Sequence, residues 1–91
     1  MRYQRSASFL RSLDDMPPDR VERVRVALQR FINAMDMGQT PHGLGLKPLR
    51  NGYWEFRAGL SDRIVFHRDG DLISFVLVGT HDGIKRFLRR Q

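Results

Sequence analysis

Two dipeptides constrain this chain more than any other feature of it. Asn51-Gly52 and Asp69-Gly70 each stand between short apolar or alternating runs, LKPLR and YWEFRA around the first, DRIVFHR and DLISFVLVGT around the second. A type I′ turn needs positive φ at both central residues, which makes Asn-Gly and Asp-Gly the strongest short-range hairpin signals. With Gly59-Leu60-Ser61 between the two middle runs, the segment from Leu46 onward reads as four consecutive antiparallel strands. In YWEFRA, Trp54, Phe56 and Ala58 share one face of such a strand. That apolar set has to be covered by helices.

The first half of the chain supplies them. Pro18 or Asp19 opens a helix running to about Met35, because proline is suited to the first helical position. Val21, Val24, Leu28, Phe31, Ile32 and Met35 fall on one side of it, a core stripe, with Arg20, Glu22, Arg23 and Arg30 largely opposite. Phe9, Leu10, Leu13 and Met16 recur at helical spacing ahead of it, and Tyr3-Gln4-Arg5 reads as a brief strand. Residues 37–45, with three glycines and a proline, form the loop between halves. Asp82 is placed to cap a short last helix whose Ile84, Phe87 and Leu88 lie on the sheet. The expected fold is α+β over a single domain, 1–91: two N-terminal helices on a four-stranded antiparallel sheet, a short extra N-terminal strand, and a short C-terminal helix.

Charge narrows the partners. Sixteen Lys and Arg against ten Asp and Glu give a net charge of +6, and all of the basic residues but Lys47 and Lys85 are Arg. Arginine offers a planar fork of donors that suits phosphate, so nucleic acid or an acidic protein leads, with an anionic membrane a weaker third. There is no cysteine, and His42, His67 and His81 are far apart without metal-ligand spacing, so no metal or other cofactor is expected. No apolar run approaches the roughly 18 residues of a membrane span, and the N-terminus has no signal-like apolar region. The expected location is the cytoplasm.

The same alternation places Tyr53, Glu55 and Arg57 on one face, and Arg63, Val65 and His67 outward from the core that Ile64 and Phe66 join. Arg57 and Arg63 then flank the turn at Gly59-Leu60-Ser61, and His81, at the end of the last strand, comes near Arg63. Two guanidiniums and an imidazole converge. Without a metal, such a group suits attack of a ribose 2′-OH on its adjacent phosphate. Arginines stabilise the phosphorane, and histidine, titrating near neutrality, moves a proton. DNA lacks the 2′-OH, so the target would be RNA.

The block GLKPLRNGYWEFRAGLSDRIVFHRDGDLISFVLVGTHDGIKRFL resembles the RelE/ParE superfamily of toxins from type II toxin–antitoxin systems. The resembling features are a Leu-Lys-Pro-Leu strand, a Gly-aromatic-Glu strand ending in Arg, an Arg-led apolar strand, an Asp-Gly hairpin, and a long apolar strand closing on Gly with a following His. The resemblance implies helices on a four-stranded antiparallel sheet. It also implies a metal-independent endoribonuclease that cleaves mRNA in the ribosomal A site, with a cognate antitoxin that silences it and through which alone it would reach operator DNA. By the same resemblance Arg57, Arg63 and His81 are the catalytic positions, and Phe87 falls near an aromatic position that stacks on a base. Glu55 stands where several members have Lys.

Lys47 and Arg50, flanking Pro48, and Lys85 and Arg86 on the last helix are candidates for gripping RNA. Simpler roles stand beside each of these. Lys47 and Arg50 would also block edge pairing, Lys85 and Arg86 complement a helix C-terminus, and Phe87 fits the core. Arg57 and Arg63 suit salt bridges to Glu55 and Asp62, and His81 suits the cap of the last helix. ParE-type members share the fold but poison DNA gyrase, and a non-catalytic RNA- or protein-binding module of the same fold is the third reading.

Overall fold

The computed structural model describes all of residues 1–91. The elements in order are β1 (Arg2–Arg5), α1 (Ala7–Leu13), α2 (Pro18–Asp36), β2 (Lys47–Pro48), β3 (Tyr53–Arg57), β4 (Arg63–Asp69), β5 (Leu72–Gly79) and α3 (His81–Arg89). They form an α+β fold around one five-stranded sheet of order β1-β5-β4-β3-β2. The β2 to β5 meander is antiparallel as expected. The brief N-terminal strand joins it as a fifth member, running parallel to β5 with Arg2 opposite Leu72 and Arg5 opposite Phe75.

The first hairpin is closed by Asn51 and Gly52, both at positive φ (59° and 80°), the signature of type I′. The second differs from expectation. Asp69 pairs with Leu72, so the two-residue loop is Gly70-Asp71, and only Gly70 has positive φ (61°), the pattern of type II′. The strand expected over LKPLR is paired only at Lys47 and Pro48, opposite Glu55 and Trp54. Proline has no N–H to extend the ladder, which suits this outer position.

The core lies between α1, α2 and one face of the sheet, and Phe31 is its centre. Its ring stacks on Phe56 at 4.6 Å and meets Phe66 at 4.8 Å and Phe75 at 5.9 Å. Val24 and Ala27 from α2, Phe9 from α1 and Ile64, Ile73 and Val78 from the sheet complete a fully apolar interior. Trp54 is half-buried, packed against this core and stacked on Phe66.

Beyond Phe75, β5 has left β1 behind, and its free edge is taken by serines of α1. Ser8 Oγ donates to the Val76 carbonyl at 2.6 Å, and Ser12 Oγ accepts from the Val78 N–H at 3.0 Å. Val76 itself is bulged, since Val65 pairs with Leu77 while Phe66 pairs with Phe75. The extra residue lets both Phe75 and Val78 face the core.

The second face is also covered. Val65, expected to point outward, does leave the main core but is fully buried, because α3 crosses that side of the sheet. Phe87 meets the Tyr53 ring edge-on at 5.4 Å, Arg50 donates to the Leu88 carbonyl at 2.8 Å, and the Tyr53 hydroxyl lies 3.0 Å from Gln91 Oε1. The cap of α3 is also not the expected one. Thr80 is the N-cap, its hydroxyl accepting from the Gly83 N–H at 3.4 Å, while Asp82 lies within the first turn.

Candidate active site

The rim of the sheet at the β3–β4 turn is fixed from below by α2. Arg20 grips Asp62 with two hydrogen bonds, Nε to Oδ2 at 2.9 Å and a terminal amine to Oδ1 at 2.6 Å, and Asp62 is only 3% exposed. The Ala58 N–H donates to the Asp62 carbonyl at 2.9 Å, closing the turn on itself. The hairpin end is therefore held to the helix by a bidentate pair, a geometry that gives direction as well as energy.

On this base Arg57 and Arg63 stand directly opposite each other, and Arg63 in turn is opposite Gly79. Two like charges facing each other across strands repel. Glu55, one step along the face from Arg57, relieves this: its Oε2 lies 2.7 Å from Arg63 Nε, and it is 5% exposed. Arg63 keeps a quarter of its side chain exposed, with the contact made through Nε. The carboxylate thus orients the arginine from its stem side and leaves the terminal nitrogens for an anion.

Arg57 takes another course. No carboxylate pairs with it, and its side chain lies along the loop before β2, where a Cβ on Gly45 would stand 3.2 Å from Nε. That loop is on the far side of β3 from β4, so Arg57 leans away from Arg63 toward the sheet edge. Of the two salt bridges the sequence suggested, Arg63 with Glu55 is present, whereas Asp62 belongs to Arg20.

His81 is the first residue of α3 and is exposed. Because β5 ends at Gly79, His81 is not at the end of the strand as expected, and strand alternation does not govern its direction. Thr80 supplies the cap, and no side-chain hydrogen bond ties the imidazole to the rest of the fold. It stands two residues beyond the position that pairs with Arg63.

The candidate RNA contacts divide. Lys47 is exposed on β2, and Lys85 and Arg86 are exposed on α3, where Arg86 shares a cleft with Gly79 and Thr80 at the rim. Arg50 is occupied by the carbonyl end of α3, and Phe87 is half-buried against Tyr53. Tyr53 and His67, whose rings lie 5.0 Å apart, form a polar-edged aromatic pair on the same face, one that alternation places outward without singling it out. Their shared alternation phase was the available signal. No three His, Asp or Glu side chains are grouped so as to hold a metal ion, and no helix is long and apolar enough to cross a membrane.

No protein-family model and no curated protein sequence matches this chain. Solved structures do. A RelB–RelE antitoxin–toxin complex from Methanococcus jannaschii matches with a TM-score of 0.69 at 18% identity, over 96% of this chain and 98% of that one. The E. coli DinJ–YafQ complex matches with a TM-score of 0.72 at 16% identity, over 92% and 98%. A YoeB/ParE toxin from Agrobacterium tumefaciens matches with a TM-score of 0.63 at 21% identity, over 89% and 99%. Along nearly its whole length, then, this chain has the RelE-like toxin fold.

Proposed function

We propose that this chain is the toxin of a type II toxin–antitoxin pair and that it cleaves mRNA on the ribosome without a metal, in the cytoplasm. The observation that carries the reading is the pairing of Arg63 with Gly79, which brings an exposed, unbonded His81 to the strand end that presents an oriented arginine. In this scheme the 2′-oxygen of a ribose attacks the neighbouring phosphorus, its proton passing to a base, and the 5′-oxygen leaves with a proton from an acid. His81 is the proton-transfer group, Arg63 stabilises the charge that accumulates on the phosphate oxygens, and Arg57, which leans away from Arg63, assists from the sheet edge by holding the adjoining backbone. Lys47, Lys85 and Arg86, all exposed, add affinity for the RNA backbone. The resemblance to complexes of RelE and YafQ with their antitoxins supports a cognate antitoxin as partner, an acidic segment suiting a surface of this charge.

The test is induced expression with mapping of mRNA 5′ ends. Growth arrest with cuts phased to the reading frame, lost in His81→Ala and strongly reduced in Arg63→Lys, supports the proposal. Arrest with intact mRNA and broken DNA would assign the chain to gyrase instead. Unimpaired growth on induction of the wild type would leave it a non-catalytic binding module.

A further inference from the structure

A groove of about 410 Å³ between α2 and the loops on either side of β3 is lined by three arginines and one carboxylate, Glu22. Arg23 and Arg30 enter it from α2, and Arg57 enters from β3. Glycine makes room for each of them. A Cβ would stand 3.2 Å from Arg23 Nε at Gly59, 3.4 Å from an Arg30 terminal nitrogen at Gly43, and 3.2 Å from Arg57 Nε at Gly45. Two loops thus carry no side chain at the three points where a guanidinium lies down.

The nearby acids leave the groove positive. Glu22 is held by Arg25 at 2.6 Å and Asp62 by Arg20, while Asp19 reaches Arg23 only at 3.5 Å between two exposed side chains. Arg30 donates only to the His42 carbonyl, at 3.3 Å, and Arg57 has no carboxylate partner. Like charges brought together repel unless an anion joins them, and the groove floor of Ala27, Leu44 and Ala58 lowers the local polarity around that anion.

We propose that this groove binds the phosphodiester backbone of single-stranded RNA. Arg57 is the link, because it is opposite Arg63 in the β3–β4 pairing while its side chain leans into the groove. A strand with one phosphate at Arg63 continues past Arg57 to Arg23 and Arg30. This rests on the reading of the chain as an RNA-acting toxin and adds to it a second site, reached around the sheet edge and separate from the proton-transfer group.

The measurement is salt-dependent binding of a short, uncleavable 2′-O-methylated RNA, followed by fluorescence anisotropy. For a single strand the slope of log K against log salt changes by about 0.7 for each phosphate contact. Arg23→Gln with Arg30→Gln should therefore lower the slope by about 1.4, and Arg23→Lys with Arg30→Lys, which keep the charge, should restore it. An unchanged slope in the double Gln variant, or no RNA binding by the wild type, overturns the proposal. Unchanged RNA binding with loss of polyglutamate binding also overturns it, in favour of an acidic protein segment. Cleavage is not read, so a protein that cuts no mRNA but shows the slope change keeps the groove and loses the nuclease; the opposite pair of results does the reverse.

Discussion

On the face of the sheet covered by α2, the Phe31 ring rests on Phe56 and Phe66, and every residue of the buried cluster is apolar. On the other face, Val65 and Ile84 are as well buried, but Glu55 is buried with them and is matched by Arg63. The first face gains stability from area removed from water and asks little of its geometry beyond close packing. The second holds a charge out of water, which is tolerable only while one particular partner stays in place. A fold of 91 residues has little stability to spare, so placing a buried carboxylate beside the rim makes sense as a device that orients Arg63.

Truncating the first face should have the largest effect. Phe31→Ala removes a fully buried ring at the junction of three aromatic contacts and should cost about 3–5 kcal/mol, seen as a fall in urea midpoint with little change in slope. Breaking the second face comes next. Arg63→Ala strands the Glu55 carboxylate and should cost about 3 kcal/mol, at the low end for a broken buried pair because Arg63 is partly exposed. In a Glu55→Gln background the same substitution should cost far less, since no buried charge is left behind. Equal costs in both backgrounds would erase the difference between the faces. The double variant also separates roles: stability recovered without mRNA cleavage would mean that Arg63 acts on substrate as well as on Glu55.

How much of this was readable follows from where each feature is decided. The limits of α2, Pro18 to Asp36, and the turn at Asn51-Gly52 are set by residues adjacent in the chain, and the sequence reading found both. Alternation puts Val65 on the correct face, away from the main core, but says nothing of what covers that face, so its burial is not foreseen. The unbroken apolar run Ile64-Val65-Phe66 was the sign that both sides are buried. The parallel pairing of β1 with β5 joins residues some seventy positions apart, and nothing in RYQR or LISF specifies it. At the rim, strand phase brought Arg57, Arg63 and the end of β5 together correctly, since these pair in register. It could not reveal that Arg57 leans over Gly45, because that depends on a loop whose path is set by tertiary packing.

The smallest expected effect probes the polar edge of the apolar face. Tyr3 stacks on Phe75 at 6.3 Å and donates its hydroxyl to Asp36 Oδ1 at 2.7 Å, joining β1 to the end of α2. Burial, and then the hydrogen bond and the charge of Asp36, push its phenol up to about 12. The folded state thus favours the protonated phenol, and the unfolded chain gives up that proton near pH 10. The contribution is therefore complete below pH 10 and is lost as the pH rises toward 12. Tyr3→Phe keeps the stacking ring but has nothing to ionise. Its stability should consequently fall less steeply than that of the wild type between pH 10 and 12, measured by urea unfolding across that range. Parallel profiles would mean that the hydroxyl is as well solvated folded as unfolded, and that the apolar face meets water at Tyr3 without a fixed polar seal.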